Sequence, residues 1–168
     1  MALRLNGSTS GYVELNAPAV APSTSLEIPK LGFGKILQVK HANSTTTVSG
    51  ITSDTLLLSV SITPLSSTSK ILVIGNSYAY VLPSSNAIGC SKLRAHTSAT
   101  ATAGTQIGTA CFGSDSGQTF YASQKVQSVH TPGNTNTIVY SLVQGKGSQN
   151  TNYVDAEDYS IFAMEVES

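Results

Sequence analysis

The sequence predicts an all-β protein, a single jelly-roll or β-sandwich of about eight antiparallel strands preceded by an extended N-terminal arm. Three observations lead there. The apolar segments are short, rich in β-branched residues and separated by Gly, Pro, Asn and Ser turns at regular spacing, with no convincing amphipathic helix. Ser and Thr supply 25 and 19 residues, a composition suited to strand faces and turns rather than helix interiors. Only 11% of the chain is charged, nine basic against nine acidic residues, so solubility rests on hydroxyls and amides. Such weak colloidal repulsion suits a protein that lives within an assembly.

At 168 residues the chain is large enough for one domain with its own core. Zero net charge leaves no basic stripe for a phosphate backbone, which argues against a nucleic-acid partner. No apolar run approaches the ~20 residues that span a bilayer, and Met1–Gly7 has no apolar core of the signal-peptide kind. The expectation is therefore no membrane partner and synthesis in a cytoplasm without export. In that reducing compartment Cys90 and Cys111, on separate predicted strands, are expected as buried free thiols, although a disulfide between them is geometrically possible.

Residues 1–34 read as an arm. Leu3-Arg4-Leu5 and Tyr12-Val13-Glu14-Leu15 are short alternating pieces around the Asn6–Gly11 turn. Pro18 and Pro22 keep the following segment from forming a helix, and Leu26-Glu27-Ile28 offers one more short strand. A lone hairpin of this size is not stable in water, so its apolar face needs a surface to rest on.

From residue 35 to 168 the chain reads as the body, with strands near 35–41, 55–62, 70–81, 87–95, 106–113, 118–130, 136–144 and 153–167. Lys70-Ile71-Leu72-Val73-Ile74 is the strongest apolar run and reads as a buried central strand. It is paired with the 55–62 segment through a turn that Pro64 and the hydroxyls of Ser66–Ser69 favour. Ser49-Gly50 is a turn signal. In the last strand, alternation places Phe162, Met164 and Val166 inward and Glu165 and Glu167 outward.

Candidate chemistry is sparse. Gly34-Lys35 resembles the end of a phosphate-binding loop, but Pro29 stands where its first glycine belongs and Ile36 replaces the Ser/Thr that holds magnesium. His41, His96 and His130 lack metal-ligand spacing and read as exposed or satisfied strand residues. Asp155-Ala156-Glu157-Asp158, the only acidic cluster, could hold Ca²⁺ in a loop, but it lacks a calcium-loop spacing and reads as a solvated charge patch before the final strand. No Gly-x-Ser-x-Gly elbow is present. Seven tyrosines without tryptophan suit core and interface packing better than sugar stacking. No enzyme activity, cofactor or metal is expected.

Gly34-Lys35-Ile36-Leu37-Gln38-Val39, then Ser61-Ile62-Thr63-Pro64 with Ser66–Val73, and the closing Ile161–Val166, resemble a widespread family of tailed-bacteriophage virion proteins. The opening Leu3–Tyr12 with Ala17-Pro18-Ala19 is similar to the start of proteins in phages of cyanobacteria. The resemblance covers both ends and the central strands, and implies a homotrimeric jelly roll like the tumour-necrosis-factor-like heads of phage appendages and capsids. It carries over no catalytic residue. Such proteins decorate heads or tip tail fibres. A fibre needs a shaft, and this chain has neither heptads nor a repeat. A body with a short arm suits a capsid decoration (cement) protein that lays Leu3, Leu5, Tyr12, Val13, Leu15, Leu26 and Ile28 on the major capsid protein or another virion protein. The alternative is a tail-fibre or tail-tip adhesin that binds a host surface glycan or receptor.

Overall fold

The computed structural model describes residues 3–6, 12–15, 35–81, 87–97, 102, 104–114, 119–147 and 154–167. The chain divides into two compact units, Met1–Phe33 and Gly34–Ser168. In the first, β1 (Leu3–Asn6) and β2 (Tyr12–Leu15) form an antiparallel hairpin. Its register sets Leu3 opposite Leu15 and Leu5 opposite Val13, with Arg4 opposite Glu14 and Asn6 opposite Tyr12. Leu26 and Ile28 lie outside the described residues.

The second unit is a two-sheet sandwich, all β, with no helix among the described residues. Its strands are β3 (Ile36–Ser44), β4 (Val48–Ile51), β5 (Thr55–Ile62), β6 (Lys70–Val81), β7 (Ala87–His96), β8 (Thr105–Ser114), β9 (Phe120–His130), β10 (Ile138–Lys146) and β11 (Val154–Val166). The front sheet runs β3-β11-β6-β9 and the back sheet β5-β10-β7-β8. The eight long strands pair antiparallel from the outside in: β3 with β11, β5 with β10, β6 with β9, β7 with β8. That nesting is the jelly-roll order.

Two local expectations change. Ser49-Gly50 is not a turn but part of β4, which pairs with β11 through Ile51 opposite Val154 and Val48 opposite Ala156. Gly50 allows this with a φ of 71°, a left-handed conformation open to a residue without Cβ. Nor do β5 and β6 pair. The Pro64 turn carries the chain from the back sheet to the front, because each strand finds its ladder partners elsewhere: β10 for β5, and β11 and β9 for β6.

Between the sheets, β6 contributes Ile71, Val73, Ala79 and Val81, which meet Leu93 of β7, Tyr140 and Leu142 of β10, and Ile161 and Ala163 of β11. Gly75 sits where the two sheets pack tightly. A Cβ there would stand 2.8 Å from Leu142 Cδ1 and 3.1 Å from Leu93 Cδ2. A polar cluster crosses this core, with Ser91 Oγ 2.8 Å from Ser77 Oγ, 2.5 Å from Gln124 Oε1 and 2.7 Å from Gln144 Oε1. All four residues are buried. Such a bonded set fixes the relative position of the layers more tightly than aliphatic contacts do.

Cys90 and Cys111 are not free thiols. They form a disulfide across β7 and β8, where the register sets them directly opposite each other with a Cα–Cα distance of 4.1 Å. It closes a separation of 21 residues, a cross-link that restricts the unfolded chain.

The final strand is inverted relative to the alternation read from sequence. Ile161, Ala163 and Glu165 are fully buried, whereas Phe162, Met164 and Val166 are only half-buried on the opposite face. The cause is a bulge. Glu157 pairs with Tyr78 and Ser160 with Asn76, leaving Asp158 and Tyr159 opposite Ser77 alone. Asp158 has a φ of 43°, a left-handed value that Asp tolerates better than most residues. Before the bulge Val154 and Ala156 face the core; after it, Tyr159, Ile161, Ala163 and Glu165 do.

A buried glutamate is tolerated only when bonded. Glu165 accepts from Gln38 Nε2 at 2.6 Å through one oxygen and from the Leu65 N–H at 2.7 Å through the other. Gln38 also donates to the Thr63 carbonyl at 2.7 Å. One carboxylate thereby ties β3, β11 and the sheet-to-sheet turn together. Burial alone would raise its pKa, but the hydrogen bonds from Gln38 and from the Leu65 and Ser66 backbone outweigh it and hold the group below its ordinary 4.5.

A folded pKa below the unfolded one contributes stability above about pH 4.5, and that contribution is lost as pH falls through the folded value. Glu165→Leu leaves the Leu65 N–H and Gln38 without their acceptor and is expected to cost about 3 kcal/mol at pH 7 by urea unfolding. The difference from the unsubstituted protein should shrink as the pH is lowered through the carboxylate range. A cost independent of pH down to about 2.5 would refute the assignment.

Candidate functional site

The inversion of β11 decides what the front sheet shows to its surroundings. Cross-strand register lines up Val39, Met164, Leu72 and Val129 in one row across all four strands, each on the face away from the core. The next row is His41, Phe162, Ile74 and Gln127. Val39 and Val129 are 51% and 60% exposed. Leu72, Ile74, Phe162 and Met164 are half-buried by their own neighbours. The His41 ring stacks on Phe162 at 4.1 Å between centroids. Ile36, at the start of the edge strand β3, is 55% exposed.

A polar row follows, Asn43, Ser160, Asn76 and Lys125, in which Asn76 donates to Ser160 at 3.3 Å. Beyond it come Glu157, Tyr78 and Ser123, then Asp155, Tyr80 and Tyr121. Tyr78 and Tyr121 lie 6.1 Å apart with planes 20° from parallel, and Tyr80 lies 5.1 Å from Tyr121. The face is thus aliphatic at one end and tyrosine-rich at the other. Apolar side chains aligned across four strands form a contiguous patch, the kind that marks an interaction surface.

The back sheet closes its outer face differently. Asp54 bonds Lys92 Nζ and Arg94 Nη2, each at 2.6 Å, and Arg94 Nη1 donates to the Gly104 carbonyl at 3.1 Å. Burial pushes the Asp54 pKa up, but the bonds and charges of Lys92 and Arg94 prevail and hold it below 3.8. His96 Nε2 lies 2.8 Å from Ser141 Oγ. This outer surface is laced by its own side chains, while the front surface is left open.

The candidate residues are distributed as follows. Leu3, Leu5, Tyr12, Val13 and Leu15 lie in the hairpin of the first unit. His41, His96 and His130 are strand residues with partners, His130 Nδ1 lying 2.7 Å from the Tyr140 hydroxyl. The acidic cluster is not a loop before the final strand but part of β11, with Asp158 exposed, Glu157 partly so and, of the three carboxylates, only Asp155 buried. Asp155 is buried and accepts the Gly50 N–H at 2.6 Å, and the Glu157 carboxylate is 3.4 Å from Thr47 Oγ1. Asp155 and Glu157 share one face of the strand with separate partners, and the bulge sets Asp158 out of that alternation. Among the described residues no group of three or more His, Cys, Asp or Glu could hold a metal ion.

Sequence reasoning missed Leu72, Ile74, Phe162 and Met164 as surface residues. One signal was available for the first two. An antiparallel strand in a two-layer sandwich buries only one face, so the unbroken run Ile71–Ile74 must leave alternate residues outside.

No family model matches the chain, and no curated protein matches it. Among solved structures, the infectious bursal disease virus VP2 subviral particle is similar at 18% identity, covering 94% of this chain and 40% of that one, with a TM-score of 0.45. The infectious bursal disease virus Gx strain matches at 18% identity over 96% and 41%, TM-score 0.38. A mutant VP2 of the same virus, from T=1 particles, matches at 14% identity over 97% and 44%, TM-score 0.41. The chain spans less than half the length of each of these proteins.

The tyrosine end of the face has a spectroscopic signature. The hydrogen bond to Asp155 is the main cause that pushes the Tyr80 pKa up to about 12, with burial and the charges of Asp155 and Glu157 adding to it. Asp155→Asn should bring this ionisation back toward 10, read by ultraviolet titration or by the tyrosine ring resonances. An unchanged Tyr80 titration would show that the carboxylate does not hold the phenol.

Proposed function

We propose that this chain is a non-enzymatic virion structural protein, a homotrimer that decorates a phage capsid as a cement protein. Its front-sheet face forms the contact between copies, and residues 1–34 dock on neighbouring subunits. The observation that carries this reading is the row Val39, Met164, Leu72 and Val129, open across the whole front sheet. Covering such a surface with copies of itself removes apolar area from water at roughly 25 cal/mol per Å² before ordering costs. The zero net charge is compatible with close packing of like chains. The hairpin supports the docking role, since two short strands alone are marginally stable in water and need a partner to persist. The resemblance of Gly34–Val39, Ser61–Val73 and Ile161–Val166 to phage virion proteins supplies the virion context.

Sedimentation equilibrium should give three times the chain mass of 17.4 kDa. Val39→Lys and Val129→Lys alter side chains already more than half exposed, so the fold should tolerate them while association weakens by at least ~30-fold. A monomer at micromolar concentration, or unchanged assembly of both variants, would overturn the self-association.

For the docking role, the chain lacking residues 1–30 is compared with the full chain for binding to expanded capsids. Binding should fall by at least ~10-fold. Undiminished binding rejects the arm as the anchor.

A further inference from the structure

A cleft opens at one end of the sandwich, where β7 ends, β8 begins and the segment joining β9 to β10 turns back. Its volume is about 260 Å³, room for one small ring with its substituents and less than drug-sized ligands need. Ala95, Ile107, Ile138 and Pro132 give it an aliphatic lining. Thr97, Thr105 and His130 bring hydroxyl and imidazole groups to the same space. Among the described residues no Lys, Arg, Asp or Glu lines it.

The orientation of His130 is fixed from below. Tyr140 is fully buried, and among the described residues its hydroxyl has His130 as its hydrogen-bond partner, at 2.7 Å from Nδ1. A buried phenol must spend its proton on an acceptor, so the hydroxyl donates to Nδ1 and the imidazole proton sits on Nε2. The rings meet edge to face at 78° and 5.7 Å, which further sets the imidazole plane. Burial pushes the His130 pKa down and that of Tyr140 up, keeping both groups neutral at pH 7. The side wall is also held. Asn134 donates to the Pro132 carbonyl at 3.2 Å and accepts from the Asn136 N–H at 2.9 Å.

We infer that this cleft is a binding site for a single neutral sugar residue, whose C–H face lies on Ile107, Ile138 and Pro132 while its hydroxyls meet His130 Nε2–H, Thr97 and Thr105. A sugar ring presents just such a pairing of an aliphatic face with hydroxyl edges that both donate and accept. An ionised ligand would find no Lys, Arg, Asp or Glu among the described lining residues, with His96 and His130 the titratable groups there, and would lose hydration that a neutral ring does not. The lining residues named here belong to one protomer, so the inference stands apart from the self-association proposed above and survives if the protein proves monomeric.

The test is a nuclear magnetic resonance titration of the full chain with the methyl glycosides of glucose, galactose, mannose and N-acetylglucosamine. Glucuronate and glucosamine serve as charged counterparts. At least one neutral glycoside should shift the His130 imidazole and the Ile107 and Ile138 methyl signals, saturating in the millimolar range, with the charged sugars at least ~10-fold weaker. Thr105→Val and His130→Gln should each weaken binding by about 3- to 10-fold. Ile107→Trp, which fills the cleft, should abolish it, with the thermal melt of each variant reporting that the fold is kept. The inference is overturned if no neutral glycoside shifts these signals up to about 50 mM. It is overturned equally if the shifts map elsewhere, if the charged sugars bind as well, or if the folded Ile107→Trp variant binds unchanged.

Discussion

Glu165 has no solvent exposure, and an ionised carboxylate in that position is tolerable only because each oxygen receives a short hydrogen bond from a different part of the chain, Gln38 on β3 and the Leu65 backbone in the sheet-to-sheet turn. The arrangement fixes the parity of β11. With residue 165 pointing inward, residues 162 and 164 have no choice but to point outward. Phe162 and Met164 then stand beside Val39, Leu72 and Ile74 on an open surface. A polar interaction in the interior thus determines the apolar character of the exterior. The same carboxylate anchors the turn where the chain crosses between sheets, so the topology and the exposed face share one support.

The two sheets are finished on their outsides in opposite ways, and the difference is physical. On the back sheet, Asp54 draws Lys92 and Arg94 down over β10, across Gly145, whose missing side chain leaves the space in which the Asp54 carboxylate lies. Long cationic side chains cover apolar surface with their stems while their charged ends stay bonded. On the front sheet, the aliphatic row ends at the exposed Val39 and Val129, and among the described residues no charge pair is drawn across it. The sandwich therefore has a face satisfied by its own atoms and a face that is not.

Much of this architecture was legible in the sequence because it is local. The run Lys70–Ile74, the break at Pro64 and the Gly133 turn with its φ of 71° mark strand ends through residues within a few positions of one another. What was not legible depends on distant partners. Alternation carried forward from Val154 and Ala156 would turn Phe162 and Met164 inward, and the interruption at Asp158 that reverses it is supported by Gln38 and Leu65, which lie 127 and 100 residues from Glu165. The Cys90–Cys111 bond follows from the β7–β8 register, which the low-complexity segment Ser98–Gly104 does not announce. The His130–Tyr140 pair joins neighbours in sequence across opposite layers, and the cleft beside it exists only once both loop ends have met.

The bulge in β11 has one more implication. It is a single supernumerary position, Asp158 and Tyr159 sharing one partner on β6, and everything C-terminal to it takes its inside and outside from that offset. Excising one residue between 157 and 160 would turn the rest of the strand over like a card, sending the aromatic and thioether groups into the packed layer and the glutamate into water. Length changes that the loops of this protein could absorb would at this point exchange its lining with its skin. The frame of the chain, more than any one side chain, is what this short stretch conserves.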